Sequence, residues 1–278
     1  MKEQTFYLEN FNSFEPKHIF ECGQCFRWNS EPDNSYTGVF GNNVLNVKKE
    51  EQKIIFKGIC EDNIIKTCMS YFNLNTDYKK IKEKLSLLDK DLAKGITYGY
   101  GIRILKQDLW ECMISFIISA NNNIPRIKGI IEKLSTEYGK PIKDSKNTYY
   151  TFPTPKELSV ATVEDLRKLG LGFRDKRVYE TTKIVSEGKI NLKDLENETD
   201  VNKIKETLLS LPGVGEKVAD CIILFALNRF EVFPVDVWVR RVMADLHIEN
   251  PKERYGNLAG IAQQYLFYWK RGVIVNGS

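Results

Sequence analysis

Two histidines and six cysteines are thin equipment for metal or redox chemistry in a chain of 278 residues. The cysteines stand at 22, 25, 60, 68, 112 and 221. That spread suits reduced intracellular thiols better than a disulfide scaffold. Cys22-Gly-Gln-Cys25 is a lone C-x-x-C, and zinc would need a second pair of ligands. No four-cysteine cluster stands near the C-terminus, which argues against an iron–sulfur centre. No metal and no cofactor is therefore expected. No apolar run approaches the roughly 18 residues of a membrane span. MKEQTFYLEN shows neither a signal-peptide core nor an arginine-rich presequence, so no membrane partner is expected. Internal repeats and low-complexity segments are also missing.

The chain does have the makings of a core. Its hydrophobic share is 42% and its charged share 28%, as in ordinary globular proteins. The length allows one large domain or two modest ones. A net charge of +4 permits a polyanionic partner, and a local basic face would matter more than the total.

The period of the apolar residues changes along the chain. CFRWN, YTGVF, VLNVK and KIIFKG are short runs rich in β-branched and aromatic residues. Gly41-Asn42-Asn43 between two of them reads as a hairpin turn. Helical stretches follow around 62–72 and 77–93, so residues 1–104 are expected to form an antiparallel sheet with helices packed on it. Residues 105–278 read as a helical domain of roughly eight helices, making the whole chain α+β. Ile127, Ile130, Ile131, Leu134 and Tyr138 form one helical stripe, with Pro125 near its start. Thr154-Pro155-Lys156-Glu157 is a capping box with proline in the first turn. Gly170 and Gly172 stop the next helix. Val239, Val242, Met243 and Leu246 form a further stripe. Asn276-Gly277-Ser278 reads as a disordered tail.

The densest local signal is LPGVGEKVADC at 211–221, followed by Asp236. Gly213-Val214-Gly215 joins two helical patterns as a helix-hairpin-helix. Glycines there let backbone N–H groups at the head of the second helix approach an anion such as a DNA phosphate. The plain alternative is an αα-turn that needs glycine for geometry. Lys217 falls in the first turn of that helix, at the positive end of its dipole, where a cation is disfavoured. That position favours the neutral amine, the form that acts as a nucleophile. A tolerated surface lysine is the plain alternative. Asp236 stands just before the next helix, where it reads as an N-cap. A carboxylate so placed stays ionised and can oppose a developing positive charge.

These residues resemble the helix-hairpin-helix Gly/Pro-Asp superfamily of DNA glycosylases, and the lysine points to members that are also lyases. GQCFRW at 23–28, NNNIPRI at 121–127, LRKLGLGFR at 166–174 and AGIAQQYLF at 259–267 are similar to one branch, the 8-oxoguanine DNA glycosylases. The likeness covers nearly the whole chain. It implies a bifunctional base-excision enzyme acting on duplex DNA with 8-oxoguanine opposite cytosine. Lys217 would be the nucleophile and form a Schiff base, with β-elimination to follow. Asp236 would support the sugar's charge. The base would be flipped out of the helix. Cys221 and Phe267 would flank it, Gln263 would pair with its Watson–Crick edge, and the Gly23 carbonyl would accept from N7–H. Asn121 would fill the vacated gap. Arg126 and Arg174 would contact the orphaned cytosine, with Phe173 wedged beside it. The resemblance further implies monomeric action at the genome, in the cytoplasmic nucleoid of a prokaryote or the nucleus of a eukaryote.

Core packing is the plain alternative for Cys221 and Phe267, a helix C-cap for Asn121, and a solvated surface for the arginines. Two residues depart from the branch's pattern. Trp238 replaces a histidine that contacts phosphate, and Phe173 replaces a tyrosine. An alkylated-base glycosylase working through Asp and water is one competing function; Lys217 argues against it. A non-enzymatic DNA-binding module is the other, and it leaves the pairing of Lys217 with Asp236 unexplained.

Overall fold

Strict alternation of exposed and half-buried residues makes EQTFYLE the first strand, β1 (Glu3–Glu9). It is followed by β2 (Trp28–Ser30), β3 (Tyr36–Phe40), β4 (Asn43–Glu50) and β5 (Lys53–Ile59) in one antiparallel sheet of order β1-β5-β4-β3-β2. The computed structural model describes residues 3–276, and side chains through Val273. The four runs expected as strands take part in β2 to β5, whereas β1 was not anticipated. Gly41, at φ +53°, turns β3 into β4.

The helices are α1 (Pro16–Phe20), α2 (Ile64–Tyr71), α3 (Tyr78–Leu88), α4 (Lys90–Tyr98), α5 (Leu109–Ser119) and α6 (Ile124–Tyr138). After a small hairpin of β6 (Pro141–Lys143) and β7 (Thr148–Tyr150) come α7 (Pro155–Leu158), α8 (Val163–Lys168), α9 (Asp175–Ser186), α10 (Leu192–Asn197) and α11 (Val201–Leu209). The chain closes with α12 (Glu216–Phe225), α13 (Val237–Asp245), α14 (Pro251–Tyr255) and α15 (Ala259–Asn276). Asn276 ends α15, and the rest of the expected tail lies outside the described residues. The capping box at Thr154–Glu157 is formed, and Ile127, Ile130, Ile131 and Leu134 are buried.

Two large cores divide most of these elements, and a small third cluster of Val39, Val44, Ile59 and Ile142 joins the sheet to the β6–β7 hairpin. One gathers Phe14, Ile19, Phe20, Trp28, Leu45, Phe56, Phe72 and Cys68 between the sheet, α1 and α2. The other runs through the helical part. Of the helices expected to back the sheet, only α2 does so. The 77–93 stretch is cut by Asp89, whose side chain caps α4 at Asp91 and Leu92. The apolar faces of α3 and α4, carrying Tyr78, Leu85, Leu92 and Ile96, join the helical core, where α15 packs on α4 and α14 on α3. The loop after α1 straddles both cores. Cys22 and Phe26 lie in the helical one, Cys25 and Trp28 in the sheet core. This carries Gly23 from the sheet layer into the helical half.

Candidate active site

The hairpin between α11 and α12 is tightened by Val214 N–H donating to Leu211 C=O at 3.1 Å, with both side chains buried. Val214 therefore anchors the turn, since its N–H is used inside it. Gly213 takes φ +85°, and a Cβ there would lie 2.8 Å from Cδ of Arg177. Both facts require glycine. Gly215 is the N-cap of α12 and supplies no side-chain cap. A Cβ built on it would meet nothing within 4 Å, so the helix head is open to an incoming anion.

Lys217, in the first turn of α12, and Cys221, one turn on, share a face. The ammonium of Lys217 sits 5.1 Å from the centre of the Phe116 ring and enters no ion pair among the described residues. Burial, the main cause, pushes the Cys221 thiol up to about 11, while Lys217 nearby pulls the other way. Cys221 thus presents a neutral, soft surface rather than a thiolate. Asp236 caps α13 by accepting from Val239 N–H at 2.7 Å. That bond keeps its carboxylate facing the same cleft as Lys217.

These groups line one pocket with Gly23, Gln263 and Phe267, a space of about 40 Å³. All six residues expected at the base and its sugar line it. Gln263 is 5% exposed, and its buried Oε1 has no hydrogen-bond partner among the described residues. An orphaned amide oxygen costs about 1–3 kcal/mol unless a ligand donates to it. Phe267, one turn on, brings Cε1 to 3.5 Å from where a Gly23 Cβ would stand. Gly23 itself has φ +83°. Glutamines that sequence reading passed over hold this strand in place. Gln264 donates to Cys22 C=O at 2.6 Å, and Gln107 to Gln24 C=O at 2.7 Å. Gln24 is fully buried, donating to Ile19 C=O and Arg103 C=O and accepting from Leu105 N–H. Their signal was available as polar residues inside apolar runs, but only the contacts tell which backbone they grip. Phe116, under the lysine, was likewise missed.

The second group of expected contacts lies around the α5–α6 junction. The three asparagines divide the work. Asn123 caps α6 by accepting from Arg126 N–H, and Asn122 donates to Ile118 C=O at the end of α5. Asn121 takes the left-handed conformation, φ +51°, and its exposed side chain makes no hydrogen bond among the described residues. Phe173 is 54% exposed, with the guanidiniums of Arg174 and Arg177 at 4.2 and 5.3 Å from its ring centre. Arg126 reaches Gly170 C=O at 3.3 Å and is otherwise open. Arg174 is 2% exposed. It donates twice to Ala120 C=O, once to Asn121 C=O and once to Leu171 C=O. Its guanidinium is largely committed to holding the Asn121 turn. Trp238, 37% exposed, carries Arg241 over its ring at 5.3 Å.

Among the described residues no helix is long and apolar enough to cross a membrane. The family model of the 8-oxoguanine DNA glycosylase N-terminal domain matches residues 7–113. That of HhH-GPD superfamily base excision DNA repair proteins matches residues 114–265. MBOgg1, solved with a low affinity DNA ligand, is 41% identical with a TM-score of 0.92, over 98% of this chain and 99% of that one. The 8-oxoguanine glycosylase/lyase of Clostridium acetobutylicum, bound to double-stranded DNA with cytosine opposite 8-oxoG, is 38% identical at a TM-score of 0.92, covering 98% of this chain and 97% of its own. A probable N-glycosylase/DNA lyase of Methanothermobacter thermautotrophicus is 34% identical over 211 residues, 65% of this chain and 67% of that protein. The chain therefore belongs to the HhH-GPD superfamily of base excision DNA repair proteins, in its 8-oxoguanine DNA glycosylase branch.

Proposed function

We propose that this chain removes 8-oxoguanine lying opposite cytosine in duplex DNA and then cuts the strand. The neutral amine of Lys217 attacks C1′ of the flipped nucleotide. The glycosidic electron pair leaves with the base, which takes up a proton. Opening of the sugar ring gives a Schiff base between Nζ and C1′. Loss of a C2′ proton then expels the 3′ phosphate, and water hydrolyses the Schiff base to free the lysine. The Asp236 carboxylate opposes the charge that builds on the sugar as the base departs.

The observation that carries this reading is the buried, unpartnered Oε1 of Gln263 in the pocket that Lys217 and Asp236 share. A guanine-type Watson–Crick edge supplies the N–H donors that oxygen lacks. Gly23 would add selectivity. Its carbonyl would accept from the N7–H of 8-oxoguanine and repel the bare lone pair of guanine N7. Phe267 and Cys221 would stack on the two faces of the base, and Gly213 and Gly215 would receive a phosphate. DNA is the partner, and the enzyme acts as a monomer wherever the genome lies.

Borohydride trapping tests the reading. With duplex DNA containing 8-oxoguanine opposite cytosine, the wild-type protein should yield a covalent adduct that Lys217→Gln abolishes while binding persists. Base release without an adduct would point to the alkylated-base type of mechanism, in which water attacks. Binding with neither release nor adduct would leave only a DNA-binding module.

A further inference from the structure

Two guanidiniums, of Arg174 and Arg177, lie at the Phe173 ring, and that of Arg126 stands near Arg174, with little to neutralise them. Arg174 is buried against backbone carbonyls, and its guanidinium is held below its usual range by burial first, then by Arg126 and Arg177. The carboxylate next along, Asp175, is taken by Arg167 at 2.7 Å. Among the described residues neither Arg126 nor Arg177 enters an ion pair, and Arg177 makes no hydrogen bond. Like charges held close in a partly desolvated place raise the energy of the free protein, and a polyanion relieves it.

Arg177 is distinguished by what its stem does. Its Cβ, Cγ and Cδ lie 2.8–3.2 Å from the position a Gly213 Cβ would occupy, so the side chain runs along the hairpin turn. Its head then reaches the Phe173 ring. Thr181, one turn further along α9, donates to Pro212 C=O at 3.1 Å and fixes the same helix to the same turn. The guanidinium of a half-buried side chain is thereby held between the open head of α12 and the exposed ring, with its stem packed on the turn and its donors unused among the described residues. The geometry points to Arg177 as a DNA-phosphate contact that bridges the hairpin turn and the Phe173 wedge. This rests on the DNA-repair reading above, and gives Arg177 a share of the strand grip that the committed head of Arg174 leaves open.

The test measures affinity for lesion-containing duplex over a salt series, in the Lys217→Gln background so that no turnover intervenes. Each phosphate contact contributes about −0.9 to the slope of log affinity against log salt. Arg177→Met keeps the stem on Gly213 and should weaken binding and flatten that slope by about one contact. Arg177→Lys should restore it. Lys79→Met removes the same charge from exposed α3 and should leave the slope alone. An unchanged slope in a folded Arg177→Met protein overturns the proposal. So does an unchanged slope with lost preference for cytosine, which would make Arg177 a base contact. Borohydride trapping with Lys217 intact, run alongside, judges the enzyme reading separately.

Discussion

The pocket around Lys217 and the face around Phe173 are built in opposite ways. In the pocket the supporting groups are spent and the reading groups are free. Gln24, Gln107 and Gln264 use their amides on backbone, while Gln263 is buried with an unpaired oxygen. On the face, Arg174 is spent, while Phe173, Asn121 and Arg126 stand exposed. A base turned out of the helix can be enclosed, so its site can be lined by buried groups. An opposite strand would stay in solvent, and under the proposed function its contacts would be side chains standing on a stiffened turn. Chemistry should then fail with pocket variants, and binding or stability with face variants.

The sharpest break of that division would come from Asp236→Asn. Asparagine caps a helix as well as aspartate, so Val239 N–H keeps its partner and stability should hold. The charge is lost, and single-turnover excision should fall on the order of 10²- to 10³-fold with affinity little changed. An unaltered rate would reduce Asp236 to a cap. Next, Gln263→Leu removes the orphaned amide. kcat/KM for the lesion should drop roughly 10- to 100-fold, with stability equal or higher because a buried unpaired oxygen has gone. Retained selectivity would show that the base edge is read elsewhere.

On the face, Arg174→Gln should cost about 2 kcal/mol of stability, seen as a lower Tm, because carbonyls of Ala120, Asn121 and Leu171 lose their donor. Weaker binding would follow through the loosened Asn121 turn. If Tm held while cytosine preference vanished, Arg174 would be a direct reader and the contrast between the two regions would weaken.

Much of this was legible residue by residue. Gly41 turned a hairpin, Thr154 and Pro155 started a helix, and the stripe from Ile127 to Leu134 faced inward, since such signals act over a few residues. Where α3 and α4 would pack was not legible. An apolar face states that it needs a partner, and the choice between the sheet and the C-terminal helices is made by distant surfaces. The same limit hid β1, a strand whose partner β5 lies some fifty residues away. It also hid the glutamine ties around Gly23.

The sequence by itself determined the parts: an open Gly-x-Gly helix head, a lysine one turn from a cysteine, a capping aspartate and a line of asparagines. Local backbone preference and helical spacing suffice for those. Tertiary structure decided how they are used. It brought Gly23 from the sheet layer to the last helix, left one amide of α15 bonded and its neighbour unpaired, and turned Arg174 inward while holding Arg177 along the hairpin turn. Each outcome depends on which buried group finds a partner, and that is settled only when elements far apart in the chain close on one another.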